Sequence, residues 1–179
     1  TEESGQEVRN ADLLEAYISG AGLDVERYDA APGRTSIVAR IEGSDPNAPS
    51  LCLNGHTDVV PVDDWSIAEH GPFEPVVRDG RLYGRGSTDM KGSIACMFAA
   101  IRSLKDQNFK HPVYISCSSD EELDHRGAIE ITKRSQLYRE LIDGGACGIV
   151  GEPTSLDVVY AHKGGGQLGI TSHGKAAHS

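Results

Sequence analysis

One histidine and several carboxylates follow short apolar segments of this sequence. His56 comes shortly after one such segment, Glu121 and Glu122 after a second, and Glu152 after a third. Asp89 ends a glycine-rich stretch, immediately before a helical pattern. Because ligands in open α/β sheets bind beyond the carboxyl ends of the strands, we expect these side chains to converge at one edge of a sheet.

Carboxylates gathered in this way favour a bound cation. Two like unit charges that lie 4 Å apart repel each other by about 4 kcal/mol at an effective dielectric constant of 20, so either the carboxyl pKa values rise or a metal binds. One imidazole among carboxylates suits zinc, which accepts nitrogen and oxygen ligands and leaves a position open for water; manganese or cobalt could substitute. Asp58, two residues after His56, could hold the other ring nitrogen.

Each of these residues also has an interpretation that involves no metal. Asp89 alone would be a helix N-cap, His56 could cap a turn, and Glu121 and Glu122 could form a solvated acidic turn. Those interpretations would have to hold independently of one another. A single metal site explains all the placements at once, and it is therefore the preferred interpretation.

Alternating helical and strand patterns surround the candidate residues. Apolar residues at helical spacing predict helices at 6–21, 90–106 and 127–142, the last with a break near Ser135. Strands are predicted at 24–28, 35–41, 50–54, 81–83, 112–117, 146–150, 156–161 and 167–172, with 112–117 and 146–150 buried. The segment 59–80, rich in Pro, Asp and Gly, predicts a long irregular loop. This alternation predicts an α/β fold with a mostly parallel sheet covered on both faces.

Composition restricts the classes of partner. The chain has 179 residues and a net charge of −10, with no basic stripe to meet phosphates, which argues against nucleic acid. No apolar segment reaches the length of a membrane span. All of the cysteines lie in apolar runs and none forms a C-x-x-C pair, so we expect reduced core residues and a cytoplasmic location; they are Cys52, Cys96, Cys117 and Cys147.

Two other patterns in the sequence do not indicate a functional site. Residues 164–169 fit G-x-G-x-x-G, but the alternation that follows predicts a strand where a dinucleotide site needs a helix. Cys117 precedes the acidic turn, and its place in a strand predicts burial rather than nucleophilic reactivity. The sequence also contains no G-x-S-x-G elbow of a serine hydrolase.

Several motifs resemble one family. They are GHTDVVP at Gly55–Pro61, LYGRGSTDMKG at Leu82–Gly92, SDEE at Ser119–Glu122, GEPT at Gly151–Thr154 and GKAAHS at Gly174–Ser179. Together they resemble the acetylornithine deacetylase and succinyl-diaminopimelate desuccinylase family of dinuclear zinc metallopeptidases, relatives of aminoacylase and glutamate carboxypeptidase. The resemblance implies a three-layer α/β/α zinc-exopeptidase-like domain with a mostly parallel mixed sheet at 1–163. It also implies the start of an α+β lid and dimerisation domain at 164–179.

The resemblance also implies a role for each metal ligand. His56 and Glu152 would bind the first zinc ion, Asp89 would bridge both ions, and Glu122 would bind the second. The family has a further histidine ligand far downstream. None of His70, His111, His125, His162 and His173 is expected to replace it. The chain therefore resembles an N-terminal part of such a protein, which we expect to bind about one zinc ion tightly and to turn over poorly.

The catalytic residues implied by the resemblance are Glu121, Asp58 and His178. Glu121 would be the general base that takes a proton from water, and Asp58 would orient His56. His178 would reach a neighbouring active site from the lid domain and steady the developing oxyanion. In this family the peptide bond that corresponds to Asp89–Met90 is often cis.

The function implied is the zinc-dependent hydrolysis of an amide. An N-acyl amino acid is the expected substrate, as in the deacetylases and desuccinylases of amino-acid biosynthesis, and the intact protein would be a cytoplasmic homodimer. A dipeptidase or carboxypeptidase of the same family is the alternative. A binding module that keeps the fold without catalysis, and a single-metal lyase or isomerase that uses the same carboxylates, remain open.

Overall fold

A five-stranded sheet organises the chain. The computed structural model describes residues 5–19, 23–45, 47–104, 107–161, 163–164, 169–171 and 173–174. Its helices are α1 (Glu7–Ile18), α2 (Lys91–Ser103), α3 (Arg126–Arg134) and α4 (Gln136–Asp143). Its strands are β1 (Asp24–Ala31), β2 (Arg34–Ile41), β3 (Leu51–His56), β4 (Val76–Arg78), β5 (Arg81–Tyr83), β6 (Val113–Ser118) and β7 (Cys147–Val150).

The strand order brings the ends of three parallel strands to one edge. The order is β1-β2-β6-β3-β7, with β3 parallel to both β6 and β7 and with β2 antiparallel to β1 and β6. His56 at the end of β3 pairs with Ser118 at the end of β6, and Asn54 pairs with Val150 at the end of β7. The predicted mostly parallel mixed sheet is thus confirmed.

Helices cover both faces of the sheet, as predicted. On one face α1 and α2 pack over β2 and β3, and on the other α3 and α4 pack over β1 and β2. The alternation of side chains along the strands separates the two cores. One core contains Ile37, Ala39, Ile94, Phe98, Ile101, Ile115 and Cys117, and the other contains Val38, Cys52, Tyr114, Ile131, Leu137 and Leu141. Fully burying a side chain such as Phe98 stabilises the fold by about 1.5–3 kcal/mol.

The predicted break near Ser135 is confirmed and has a local cause. Ser135 has extended backbone angles and separates α3 from α4. Its hydroxyl oxygen accepts a hydrogen bond of 2.9 Å from the N–H of Tyr138, which caps the start of α4. The same hydroxyl donates to Glu26 of β1 and so attaches the break to the sheet.

Three predictions about exposed segments are wrong. The strand predicted at 146–150 forms as β7, but its residues are exposed because β7 is an edge strand whose described neighbour is β3 alone. Cys147 on β7 and Cys96 on α2 are also exposed, because no described element packs over them. Cys52 and Cys117 are buried as expected. Residues 156–161 form no strand, because no described segment pairs with them.

The segment 59–80 is irregular as predicted, except that β4 lies within it and pairs with β5 as a hairpin. Part of the strand predicted at 167–172 lies outside the described residues. Among the helices that the structure describes, none is long and apolar enough to cross a membrane.

Gly127 allows α3 to pack directly against the acidic turn at 119–122. A Cβ atom at this position would lie 2.3 Å from the carbonyl oxygen of Ser119 and 2.6 Å from the hydroxyl oxygen of Ser36. Gly127→Ala should therefore lower the free energy of unfolding by about 1–3 kcal/mol, although alanine is the better helix former. Urea unfolding monitored by circular dichroism measures the change.

Gly148→Ala is the matched control, because no heavy atom of the described residues lies within 4 Å of the added Cβ. Its effect should stay within about 0.5 kcal/mol. Equal unfolding free energies for the two variants would contradict the close packing of α3 on the turn.

Candidate metal centre

The structure brings three of the predicted carboxylates together around the imidazole of His56. The Nε2 atom of His56 lies 3.1 Å from Asp89 Oδ1, 3.4 Å from Glu152 Oε1 and 3.8 Å from Glu121 Oε2. His56 itself is buried beneath the carboxylates, with a side chain that is 2% exposed. The parallel register of β3, β6 and β7 accounts for this meeting, because it places the strand ends side by side.

Two overlapping sets of atoms could hold a metal ion. Ligand atoms of His56, Asp89 and Glu122 lie within 4.8 Å of one another, and so do those of His56, Glu121 and Glu152. Each set contains one nitrogen and two carboxylate ligands, a donor set that fits zinc. The sets share His56, so the described residues offer a single imidazole nitrogen to any ion bound there.

The charges around His56 favour a cation. Burial alone would lower the pKa of His56, but the adjacent Asp58 carboxylate and the charges of Glu152 and Glu121 outweigh burial and raise this pKa to about 9. Burial raises the pKa of Glu152; the charge of His56 opposes this shift, and the charge of Asp89 adds to it. In each case the surroundings stabilise a positive charge or disfavour a further negative one, as is common at functional sites.

Asp58 links the imidazole to the acidic turn. Its Oδ1 atom lies 3.5 Å from His56 Nδ1, and Nδ1 forms no hydrogen bond with any described residue. The two Asp58 oxygens instead accept hydrogen bonds of 3.0 Å from the backbone N–H groups of Glu121 and Glu122. Burial works to raise the pKa of Asp58, but His56 and these two N–H groups outweigh it and hold the pKa below its ordinary value. Asp58 therefore positions the turn as an anion.

Contacts made by Asp120 also hold the same turn in place. Asp120 has a left-handed φ of 59° and a side chain that is 5% exposed. Its Oδ1 atom lies 2.9 Å from Arg34 Nη1, and the same nitrogen lies 3.6 Å from Glu7 Oε1 of α1. The Asp120 carbonyl oxygen accepts a hydrogen bond of 2.7 Å from the N–H of His125. These contacts fix the backbone on each side of Asp120, so that the side chains of Glu121 and Glu122 point toward the site.

The end of β3 is fixed by side chains from both helices of one layer. The carbonyl oxygen of Thr57 accepts hydrogen bonds from Lys91 Nζ of α2 at 3.1 Å and from Asn10 Nδ2 of α1 at 3.0 Å. The His56 N–H donates to Met90 Sδ at 3.2 Å. The Asp89–Met90 peptide bond is cis, as the resemblance implies.

Sequence reasoning missed Arg34, Asp120 and Glu7, as well as the bonds from Asp58 to the backbone. Arg34 and Glu7 are far from the motifs in the sequence, and no spacing rule relates them to the turn. A sequence signal existed only for Asp120, which stands beside Glu121, and its acidic character alone does not distinguish an anchor from a solvated turn residue.

The other histidines do not complete the cluster within the described residues. His125 comes nearest, with Nδ1 4.0 Å from Glu121 Oε1 and a side chain that is 64% exposed. His70 and His111 bond to backbone carbonyl oxygens outside the site. The predicted lid residue His178 lies outside the described residues, as does His162.

The two hydrogen bonds that Asp58 accepts from the backbone predict that a substitution of this residue weakens zinc binding. Asp58→Asn keeps the size of the side chain but replaces one acceptor oxygen by an amide nitrogen, which cannot accept a hydrogen bond from the N–H of Glu121 or Glu122. Zinc affinity, measured by isothermal titration calorimetry, should fall about 10- to 100-fold. Asp143→Asn, at an exposed position of α4, should bind zinc as the parent does. Unchanged affinity in Asp58→Asn would show that the turn does not depend on this carboxylate.

Comparisons with known proteins identify a family. Residues 52–172 match the model of peptidase family M20/M25/M40. A tripeptidase from Staphylococcus aureus is 26% identical, with a TM-score of 0.56 over 72% of this chain and 35% of its own. The M20 family metallo-carboxypeptidase Sso-CP2 from Sulfolobus solfataricus is 27% identical, with a TM-score of 0.56 over 66% of this chain and 26% of its own.

Human carnosine dipeptidase 1 shares the fold at 23% identity, with a TM-score of 0.62 over 79% of this chain and 32% of its own. The chain thus spans between 26% and 35% of the length of these solved structures. The family match begins within β3 and covers the acidic turn and the residues that meet around His56. This chain therefore belongs to peptidase family M20/M25/M40.

Proposed function

We propose that this chain carries the metal-binding and amide-hydrolysing centre of a zinc-dependent enzyme of this family. The observation that supports it is the arrangement at His56 Nε2, where the carboxylates of Asp89, Glu121 and Glu152 lie between 3.1 and 3.8 Å away. A binding module without catalysis would have no need for Glu121, whose position Asp58 fixes through the backbone.

The proposed ligands are His56, Asp89, Glu122 and Glu152. By the resemblance of the motifs, His56 and Glu152 belong to a first metal, Glu122 to a second, and Asp89 to both. A bound zinc ion supplies Lewis-acid chemistry, since it lowers the pKa of water toward roughly 7 and polarises a carbonyl group. The donor set supports zinc as the native metal, and cobalt or manganese would be accepted by the same ligands.

Glu121 is proposed as the general base. Its side chain is 39% exposed while His56 is buried, so a substrate can reach it. Glu121 accepts a proton from the attacking water, whose oxygen forms a bond to the carbonyl carbon of the amide. The carbon–nitrogen bond then breaks, and Glu121 gives the proton to the leaving amine. The products are a carboxylic acid and an amine.

Two substrate classes have support. The motifs that resemble acetylornithine deacetylase and succinyl-diaminopimelate desuccinylase favour an N-acyl amino acid, and with it a role in amino-acid biosynthesis. The tripeptidase and the metallo-carboxypeptidase among the similar structures favour a short peptide. Assays with N-acetylornithine, N-succinyl-diaminopimelate and a panel of dipeptides distinguish the two classes.

By the same resemblance, residues 164–179 open a lid domain through which a cytoplasmic protein forms a homodimer, and His178 reaches the neighbouring active site. Sedimentation equilibrium of the complete protein tests this part of the proposal. A monomer at all concentrations would contradict it.

Glu121→Gln tests the proposed general base. The amide cannot accept the proton of water, so turnover should fall about 10²- to 10⁴-fold. Zinc content measured by elemental analysis should stay that of the parent, because His56, Asp89 and Glu152 remain. Glu69→Gln, at an exposed position of the irregular segment, is the matched control and should keep full turnover. Turnover in Glu121→Gln equal to that of the control would rule out a base at this position.

A further inference from the structure

A cleft of about 630 Å³ adjoins the carboxylates around His56. Asp89 and Glu122 line it on the side of the metal centre, together with Gly84, Gly86, Ser87 and Thr88. The rest of the lining comes from the irregular segment, from the β4–β5 hairpin and from Arg85 shortly after it, and it includes Trp65, Ile67, Leu82, Tyr83 and Arg85. None of these last five residues has a role in the proposed hydrolysis.

The wall of this cleft is held in place by its own contacts. The indole N–H of Trp65 donates a hydrogen bond of 2.9 Å to the carbonyl oxygen of His70, whose ring packs edge-on against both Trp65 and Tyr83. The guanidinium of Arg85 lies 5.7 Å from the centre of the Trp65 ring and pairs with Asp64 at 3.1 Å. A wall that is ordered before binding loses little conformational entropy when a ligand binds.

The wall of the cleft opposite the metal centre is largely apolar. Ile67 and Leu82 are 39% and 54% exposed, although both are large aliphatic side chains. Exposed apolar side chains that line a cleft beside a reactive centre are characteristic of ligand sites. Arg81 and Arg85 also line the cleft, but Arg85 pairs with Asp64 and the lining includes the carboxylates of Asp89 and Glu122, so it carries both signs of charge. A charged side chain would lose hydration against the apolar part of this wall. The wall therefore complements a bulky, uncharged side chain.

We propose that this cleft binds a bulky apolar side chain of the substrate, on a residue joined to the amide that is cleaved. This inference rests on the proposed function for the position of the amide, since the cleft and the metal centre share Asp89 and Glu122. It narrows the substrate class to N-acyl amino acids or peptides with a side chain such as leucine. Substrates with a cationic side chain, such as N-acetylornithine, are disfavoured.

Trp65 is the single tryptophan of the sequence, so its fluorescence reports binding in the cleft directly. The titration uses the Glu121→Gln chain, in which the ligand is not consumed, with N-acetyl-leucine, N-acetylglycine and N-acetylornithine. N-acetyl-leucine should change the emission of Trp65 and bind about tenfold more tightly than the other two. Equal affinities, tighter binding of N-acetylornithine, or no change in emission would overturn the proposal.

Leu82→Ala removes the apolar contact at an exposed position, so the fold should tolerate the substitution. It should weaken the binding of N-acetyl-leucine about three- to tenfold and leave N-acetylglycine unchanged. Val77→Ala, on the same hairpin but outside the lining and 75% exposed, is the matched control and should change neither affinity. Equal losses for both ligands in Leu82→Ala would also overturn the proposal.

The same titration separates this inference from the proposed function. If the protein with Glu121 intact hydrolyses none of these amides while Trp65 still discriminates leucine from glycine, the cleft is supported and hydrolysis is contradicted. If the amides are hydrolysed without regard to the side chain and Leu82→Ala has no effect, hydrolysis is supported and the cleft is contradicted.

Discussion

Repulsion among the carboxylates around the buried imidazole of His56 is the main electrostatic problem that this fold has to solve. Ligand atoms of Asp89 and Glu122 lie within 4.8 Å of each other, and so do those of Glu121 and Glu152. Like charges about 4 Å apart repel each other by about 4 kcal/mol at an effective dielectric constant of 20. The protein must therefore hold these groups together by contacts that do not depend on a bound cation. Most of the unusual features near the site are such contacts.

The contacts come from outside the ligand set. The backbone N–H groups of Glu121 and Glu122 bind Asp58, and the residue before them, Asp120, is attached to Arg34. On the opposite side, the parallel pairing of β3 with β6 and β7 fixes where the strands end. Positioning of this kind matters for catalysis, because a base that is displaced by 1 Å can lose much of its effect. The fold thus fixes the positions of the carboxylates, and the proposed metal ion would balance their negative charge.

Sequence patterns predict the clustering of the site residues better than they predict which segments are exposed or form strands. The meeting of His56 and Glu152 follows from a general rule about strand ends in α/β sheets, so it needed no knowledge of individual contacts. The bonds from Asp58 to backbone N–H groups could not be foreseen, because a side-chain pattern does not encode where main-chain donors point. The exposure of Cys147 and the missing strand at 156–161 have another cause. Apolar alternation shows that a segment can form a strand, but pairing depends on a partner that the pattern does not specify.

Anomalous diffraction at the zinc edge, from crystals of the chain grown with zinc, locates the metal ion relative to His56. We expect an anomalous peak about 2.0–2.2 Å from His56 Nε2 and from carboxylate oxygens of Asp89 and Glu152, with Glu121 beside it and Asp58 still bound to the backbone of the turn. A zinc ion bound elsewhere, or the absence of any peak at His56 in zinc-saturated crystals, would contradict this expectation.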